Sequence, residues 1–538
     1  MSEPRFRFPT ADEIPEGVRV TTLGYENRCL IDGHITLGAT PGTTVLSPVC
    51  VRGASGALER VAIGRTPDVT PEEALRALAA ATRAYAGGRG EWPSMPVAGR
   101  IGALEGFVER MVGVREEVVR LLMWEIAKTR KDAESEFDRT VVYIRDTLEA
   151  LKEQDRTAAR FALEEGFIGQ FRRSPLGVAL CMGPYNYPLN ETFATLIPAL
   201  VMGNTVVSKL PKCGQLVHLP LLPAFAESFP PGVVNIIQGQ GAKVIGPIME
   251  SGQVDVLAFI GSASVANLLK KQHPRPNRLR CILGLGAKNP AVILPDADLE
   301  AAVAECVSGA LSYNGQRCTA LKLLMPHQRI AEDFARRVAT AVDALPAGLP
   351  WDSGVKLTPL PEDGKPAAMA ALVEDAVGKG ARILNQGGWS EGTFFRPAVV
   401  YPVTPEMRLY HEEQFGPIVP IAPFRSESEA VAAIEASPYG QQVAIFGQDP
   451  PTVARWIDAL VRTVSRINLN TQCRRGPDTF PFTGRKDSAE GTLSVSDALR
   501  CFSIRTVVAT TAHDANQRLV SDIVTRRLSS FLSTDFLF

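Results

Sequence analysis

An α/β protein built as two doubly wound α/β domains in tandem is the fold class that the sequence predicts. Three observations carry it. The chain has 538 residues, too many for one ordinary domain at about 150 residues each. Hydrophobic residues make up 45% and charged residues 21%, so a globular core can form without a disulfide or metal staple. From Gly177 onward, short β-rich runs alternate with helical runs, the pattern of parallel strands joined by crossover helices.

Taken in order, residues 17–52 read as short strands with turns at Asp32-Gly33 and Pro41-Gly42. Thr70-Pro71-Glu72-Glu73 opens a helix: Thr70 suits the N-cap, Pro71 the first helical position, and Glu73 completes a capping box. Gly87-Gly88 should stop it. Residues 97–153 carry long amphipathic helical runs. Strands are expected at 177–182, 204–209, 232–237, 255–260 and 279–285, with helices between them at 190–202 and 241–250. A second series of strands is expected near 290–294, 321–325, 395–401, 417–423, 442–447 and 464–469. Residues 511–538 read as an appendage.

Composition excludes several functions. The 57 basic and 58 acidic residues leave a net charge of −1, so no global field draws in nucleic acid. Nine cysteines, an odd number, include no C-x-x-C pair, and the six histidines never fall at i,i+4. No metal site is therefore expected, and the thiols suit a reduced, cytoplasmic protein. The opening Met1-Ser2-Glu3-Pro4-Arg5 leads into no apolar leader-like region. The most apolar stretch, 174–210, is broken by Pro184, Pro188, Asn190, Glu191, Pro198 and Asn204, so no membrane span is expected.

Four segments carry chemistry. In Asn314-Gly315-Gln316-Arg317-Cys318-Thr319, a cysteine lies in a loop between a helix and a strand, where a nucleophile could face a domain cleft. Viewed alone, a buried inert thiol is the commoner fate of a cysteine. In Met182-Gly183-Pro184-Tyr185-Asn186-Tyr187-Pro188, Asn186 follows a predicted strand, where a stiffly held amide could stabilise an oxyanion; a polar turn is the alternative. Lys209 ends a strand and Lys212 follows it, suiting ribose hydroxyls and a 2′-phosphate, or else forming a solvated pair. Gly261-Ser262 leads from a strand into a helix, a turn open to a pyrophosphate. Gly239-Gln240-Gly241 is a weaker version, and neither a Walker A sequence nor a well-placed G-x-G-x-x-G occurs.

Together with Gly286-Ala287-Lys288-Asn289-Pro290, Glu413-Gln414-Phe415-Gly416-Pro417 and Pro481-Phe482-Thr483-Gly484, these segments resemble the aldehyde dehydrogenase superfamily from about residue 70 to 510. The resemblance implies a cofactor-binding domain, a catalytic domain and a small β bridging element used in a homodimer or homotetramer. On that pattern, 1–150 and 172–285 form the cofactor domain, 286–484 the catalytic domain, and 151–171 with 485–510 the bridging element, leaving 511–538 as an extension. It implies that Cys318 attacks an aldehyde and that Asn186 helps hold the oxyanion. Hydride transfer would then leave a thioester for hydrolysis. Lys209 would bind the adenosine ribose, Glu413 the nicotinamide ribose, and Phe415 would pack nearby. Lys212 stands where NAD-specific members carry a carboxylate, so NADP is expected rather than NAD.

Within the superfamily, the chain looks most like the non-phosphorylating, NADP-dependent glyceraldehyde-3-phosphate dehydrogenases. That resemblance carries Arg139, Tyr187, Arg317 and Arg475 over as a cradle for the substrate phosphate, for which guanidinium forks are suited. The alternative is that each arginine forms an ordinary ion pair. One departure stands out: the superfamily's Glu-Leu-Gly-Gly-Lys reads Gly284-Leu285-Gly286-Ala287-Lys288 here, so the usual deacylation base is missing. General acid–base help is worth roughly 10²–10⁴-fold. Glu413 could replace the base, coenzyme A could replace water as acyl acceptor, or the protein could be a catalytically weak cofactor-binding protein.

Overall fold

The computed structural model describes residues 6–20, 26–39 and 42–536. Pro41 and the first five residues, which carry two of the expectations above, lie outside them. The protein is a mixed α/β structure with several parallel sheets. Its largest sheet has eight strands. Five at its centre are parallel, in the order Val234–Ile237, Thr205–Lys209, Val178–Met182, Val256–Ile260, Arg280–Gly284. The chain builds outward from Val178–Met182 in one direction, then returns to add strands on its other side. Ligands of open α/β sheets bind at such a reversal, beyond the carboxyl ends of the strands. The turns Gly183–Asn186 and Gly261-Ser262 leave the sheet at those two ends.

Antiparallel strands close both edges. The hairpin Arg28–Ile31 and His34–Leu37 joins at Val234–Ile237, and Ala489–Glu490 joins at Arg280–Gly284. Asp32 and Gly33 make the hairpin turn with φ of 54° and 78°, the geometry that two-residue hairpins need. The expected Thr70 cap is present: its side chain accepts from Glu73 N, and Glu73 accepts from Thr70 N at 2.8 Å. The helix Pro71–Tyr85 ends at Ala86, already left-handed at φ 49°, just before the two glycines. The run 97–153 resolves into Val97–Gly113, Arg115–Ile126 and Arg130–Ala158.

The second parallel sheet has the order Leu321–Pro326, Asn289–Ile293, Gln442–Phe446, Arg466–Leu469. Two expected strands are shorter than the sequence suggests. The span 395–401 divides into Phe394–Phe395 and Ala398–Tyr401, and 417–423 keeps only Ile418–Pro420. Pro397, Pro417 and Pro423 remove ladder donors at these places. A three-stranded antiparallel sheet, Phe161–Glu164, Phe167–Pro175 and Ser503–Thr511, stands apart from both. The chain continues into the exposed helix Asp514–Thr525 and then folds back. There Gln170 Oε1 accepts from Ser533 N at 3.0 Å, and Leu532 is buried. No helix among the described residues is long and apolar enough to cross a membrane.

Candidate active site

Cys318 follows three consecutive left-handed residues, Tyr313, Asn314 and Gly315, at φ 48°, 53° and 71°. Two of them carry side chains, so the backbone is strained and must be held in place. Tyr313 OH donates to Ile126 O at 2.8 Å, and Asn314 exchanges hydrogen bonds with Thr358 at 3.1 Å in both directions. Behind the nucleophile, Asn289 Nδ2 donates to the Cys318 carbonyl at 2.8 Å and Lys322 Nζ donates to it at 3.0 Å. Lys322 is fully buried and also pairs with Glu413 at 2.9 Å, so one ammonium joins the cysteine loop to that carboxylate. Burial and then Glu191 push the half-buried Cys318 thiol above its ordinary range, against Lys322 and Arg475.

Asn186 is buried, and its Nδ2 donates to the Gln316 carbonyl at 2.8 Å. The amide from the end of the first parallel strand is thereby tied to the loop two residues before Cys318. An amide nitrogen carries two hydrogens, so one remains for a developing oxyanion. Gly284 ends another parallel strand. A Cβ there would meet Ile260 at 3.3 Å and Leu493 at 3.4 Å, both apolar. The corner where the superfamily keeps its base therefore has a hydrocarbon lining on that side.

Of the expected cofactor residues, Lys209, Gly261 and Ser262 stand at the carboxyl ends of strands of the same sheet. Lys209 ends Thr205–Lys209, and burial lowers its ammonium to about 8. Ser262 caps Ala263–Gln272, its Oγ accepting from Val265 N at 3.4 Å. At Gly261 a Cβ would fall 2.3 Å from the Phe259 ring, so any larger residue there would have to displace that ring. Glu413 accepts from Ala287 N at 3.1 Å. Phe415 adopts φ 41° and packs edge-on to Tyr185 at 5.9 Å. Lys212 is exposed and lies 3.7 Å from Asp363. A helix N-terminus, a lysine and a carboxylate placed in this way fit a dinucleotide.

The four proposed cradle residues are already engaged within the protein. Arg139 grips Asp478 bidentately, at 2.9 and 2.7 Å. Arg475 reaches the same carboxylate at 3.3 Å and forms an ion pair with Glu191. Burial works against the Arg475 charge, but Glu191 and Asp478 outweigh it and hold the group above its ordinary value. Arg317 Nη2 donates to Gly309 O at 2.9 Å and Gln472 Oε1 at 3.4 Å, while its buried Nε has no partner. Tyr187 lies under the Lys128 ammonium, 3.3 Å from its ring centroid. Arg139 and Arg475 thus converge on carboxylates, as the alternative of ordinary ion pairs anticipates.

Sequence reasoning missed three groups here. Glu191 sits five residues past Asn186 and is the single charged residue of the helix Asn190–Val201. Asp478 lies three residues after Arg475, and Lys322 is a lone charge in the strand Leu321–Pro326. A single charge inside an apolar run was the available signal for Glu191 and Lys322.

Comparison with known proteins identifies the family. The aldehyde dehydrogenase family model matches residues 56–508. An NADP-dependent glyceraldehyde-3-phosphate dehydrogenase of Streptococcus equinus is 32% identical over 458 residues, 84% of this chain and 93% of its own. The enzyme of that name from Pisum sativum is 30% identical, over 78% of this chain and 84% of its own. The crystal structure of the Bacillus halodurans enzyme of that name, complexed with NADP, superposes with a TM-score of 0.82 at 29% identity, covering 91% of this chain and 100% of the other. A betaine aldehyde dehydrogenase of Staphylococcus aureus in complex with NAD+ shares the fold, with a TM-score of 0.81 at 24% identity and coverage of 90% and 95%. With a cysteine loop braced on one α/β sheet and an amide delivered from the switch point of another, the chain belongs to the aldehyde dehydrogenase family.

Proposed function

We propose that the protein oxidises a short aldehyde with an anionic far end, using NADP, and that Cys318 is the nucleophile. The tether of Asn186 to the Gln316 carbonyl supports this reading best, because it holds a side-chain amide against the loop that carries Cys318. The Cys318 thiolate bonds to the carbonyl carbon, and the C=O electron pair moves onto oxygen, where Asn186 donates to it. A bound nicotinamide dinucleotide supplies the hydride acceptor. Collapse of the thiohemiacetal leaves a thioester on Cys318, and water releases the acid and restores the thiol. Glyceraldehyde 3-phosphate, giving 3-phosphoglycerate, is the substrate that the relatives' names favour. NADP is favoured over NAD by those names and by Lys212, whose charge suits a 2′-phosphate.

A second reading has its own support. With Arg139 and Arg475 paired to Asp478 and Glu191, a carboxylate-tailed semialdehyde also suits the pocket. The apolar lining beside Gly284 makes the acyl acceptor a separate matter. A single-turnover assay with glyceraldehyde 3-phosphate and NADP tests the chemistry. A burst of NADPH followed by steady turnover is expected. A burst that stalls until coenzyme A is added would reassign the acceptor, and no burst with either type of aldehyde would overturn the reading.

A further inference from the structure

Around Cys318 the charges are settled before any substrate arrives. Arg139 and Arg475 contribute two positive charges, and Asp478 and Glu191 two negative ones. Arg475, Asp478 and Glu191 side chains are 5%, 7% and 8% exposed, so little water screens them. Arg475 touches both carboxylates and has no free fork to offer an incoming anion. Arg317 remains, with a buried Nε that no group satisfies. Such an orphaned donor is costly unless something occupies it in the working state.

We infer that Glu191 fixes how much negative charge the substrate pocket accepts. By neutralising Arg475 it leaves Arg317 to receive the aldehyde's tail, so the pocket favours a singly charged carboxylate over a phosphate dianion. A carboxylate presents one charge and two acceptor oxygens, a match for one guanidinium. A dianion would meet the Glu191 charge with only Arg317, whose hydrogen-bond partners are the neutral Gly309 carbonyl and Gln472, to offset it. Glu191 is therefore a specificity residue, and it acts through the same position that holds Arg475 in place. The inference rests on the reading that Cys318 oxidises an anionic aldehyde, and it narrows which one.

The test compares glyceraldehyde 3-phosphate with succinic semialdehyde, at saturating NADP, in the unaltered protein and in Glu191→Gln. The unaltered protein is expected to show kcat/KM at least about tenfold higher for the semialdehyde. Glu191→Gln should shift the ratio of kcat/KM values toward the phosphorylated aldehyde, relative to the semialdehyde, by about tenfold or more. A preference of the unaltered protein for glyceraldehyde 3-phosphate, or equal effects of the variant on both substrates, would overturn the proposal. Because the variant removes a buried partner of Arg475, a second measurement avoids it altogether. Protection of Cys318 from iodoacetamide in the unaltered protein should need less acetate than inorganic phosphate, and the reverse order also defeats the proposal. If neither aldehyde is oxidised, the proposed function fails, while the protection order still reports which anion the pocket around Cys318 prefers.

Discussion

Cys318 and Asn186 were legible as residues because their chemistry is written into short contiguous motifs. Replacing Cys318 with Ser should abolish the NADPH burst while leaving the melting temperature nearly unchanged. Asn186→Ala should lower kcat by roughly 10²–10³-fold with little change in KM, the size of losing one oxyanion donor. A larger effect on KM than on kcat would instead make Asn186 a binding residue. The Cys318 thiol is raised by burial and by Glu191, so its alkylation rate should still be climbing with pH above the ordinary thiol value of about 8.5. A plateau below that value would contradict the site described here. Asp478 works in the opposite sense. Burial raises its carboxyl, but Arg139 and Arg475 more than offset this and hold it below its ordinary value. Its stabilisation is present above the ordinary carboxylate range and is lost as pH falls through the lowered folded value. Glu191 was not legible, because its meaning comes from Arg475, 284 positions away.

Elements followed local chemistry closely wherever a terminus had a cap or a stop. The Thr70 capping box formed as written, and Thr70→Ala should cost about 1 kcal/mol in a denaturant melt. Gly261 is a sharper case. A Cβ there would meet the Phe259 ring, so Gly261→Ala should displace the ring or the turn at the start of Ala263–Gln272. KM for NADP should rise about tenfold or more while Cys318 alkylation stays unchanged; an unaltered KM would remove that turn from the cofactor site. Elements were least legible where prolines interrupt β-rich runs, as in 395–401 and 417–423. The residues there have the composition of strands, yet lack the donors to continue a ladder.

At the scale of the whole molecule, the three-stranded sheet Phe161–Glu164, Phe167–Pro175 and Ser503–Thr511 carries exposed apolar side chains. Phe167 and Val507 are 53% and 50% exposed, and the register of their strands places them on one face. Exposed apolar side chains so placed predict self-association. Light scattering should give two or four times the 58.1 kDa of one chain, and Phe167→Lys with Val507→Lys should lower it. The sequence by itself determined the parallel strands, their crossover helices, the capped termini and the candidate nucleophile. Each depends on neighbours a few residues apart, through periodicity and backbone hydrogen bonding. Only the tertiary structure decided the strand order that brings Asn186 to the cysteine loop, the burial of Lys322 between Cys318 and Glu413, and the pairing of Glu191 with Arg475. Charge balance in a buried pocket is summed over space, and residues far apart in sequence contribute to it only once the chain has folded.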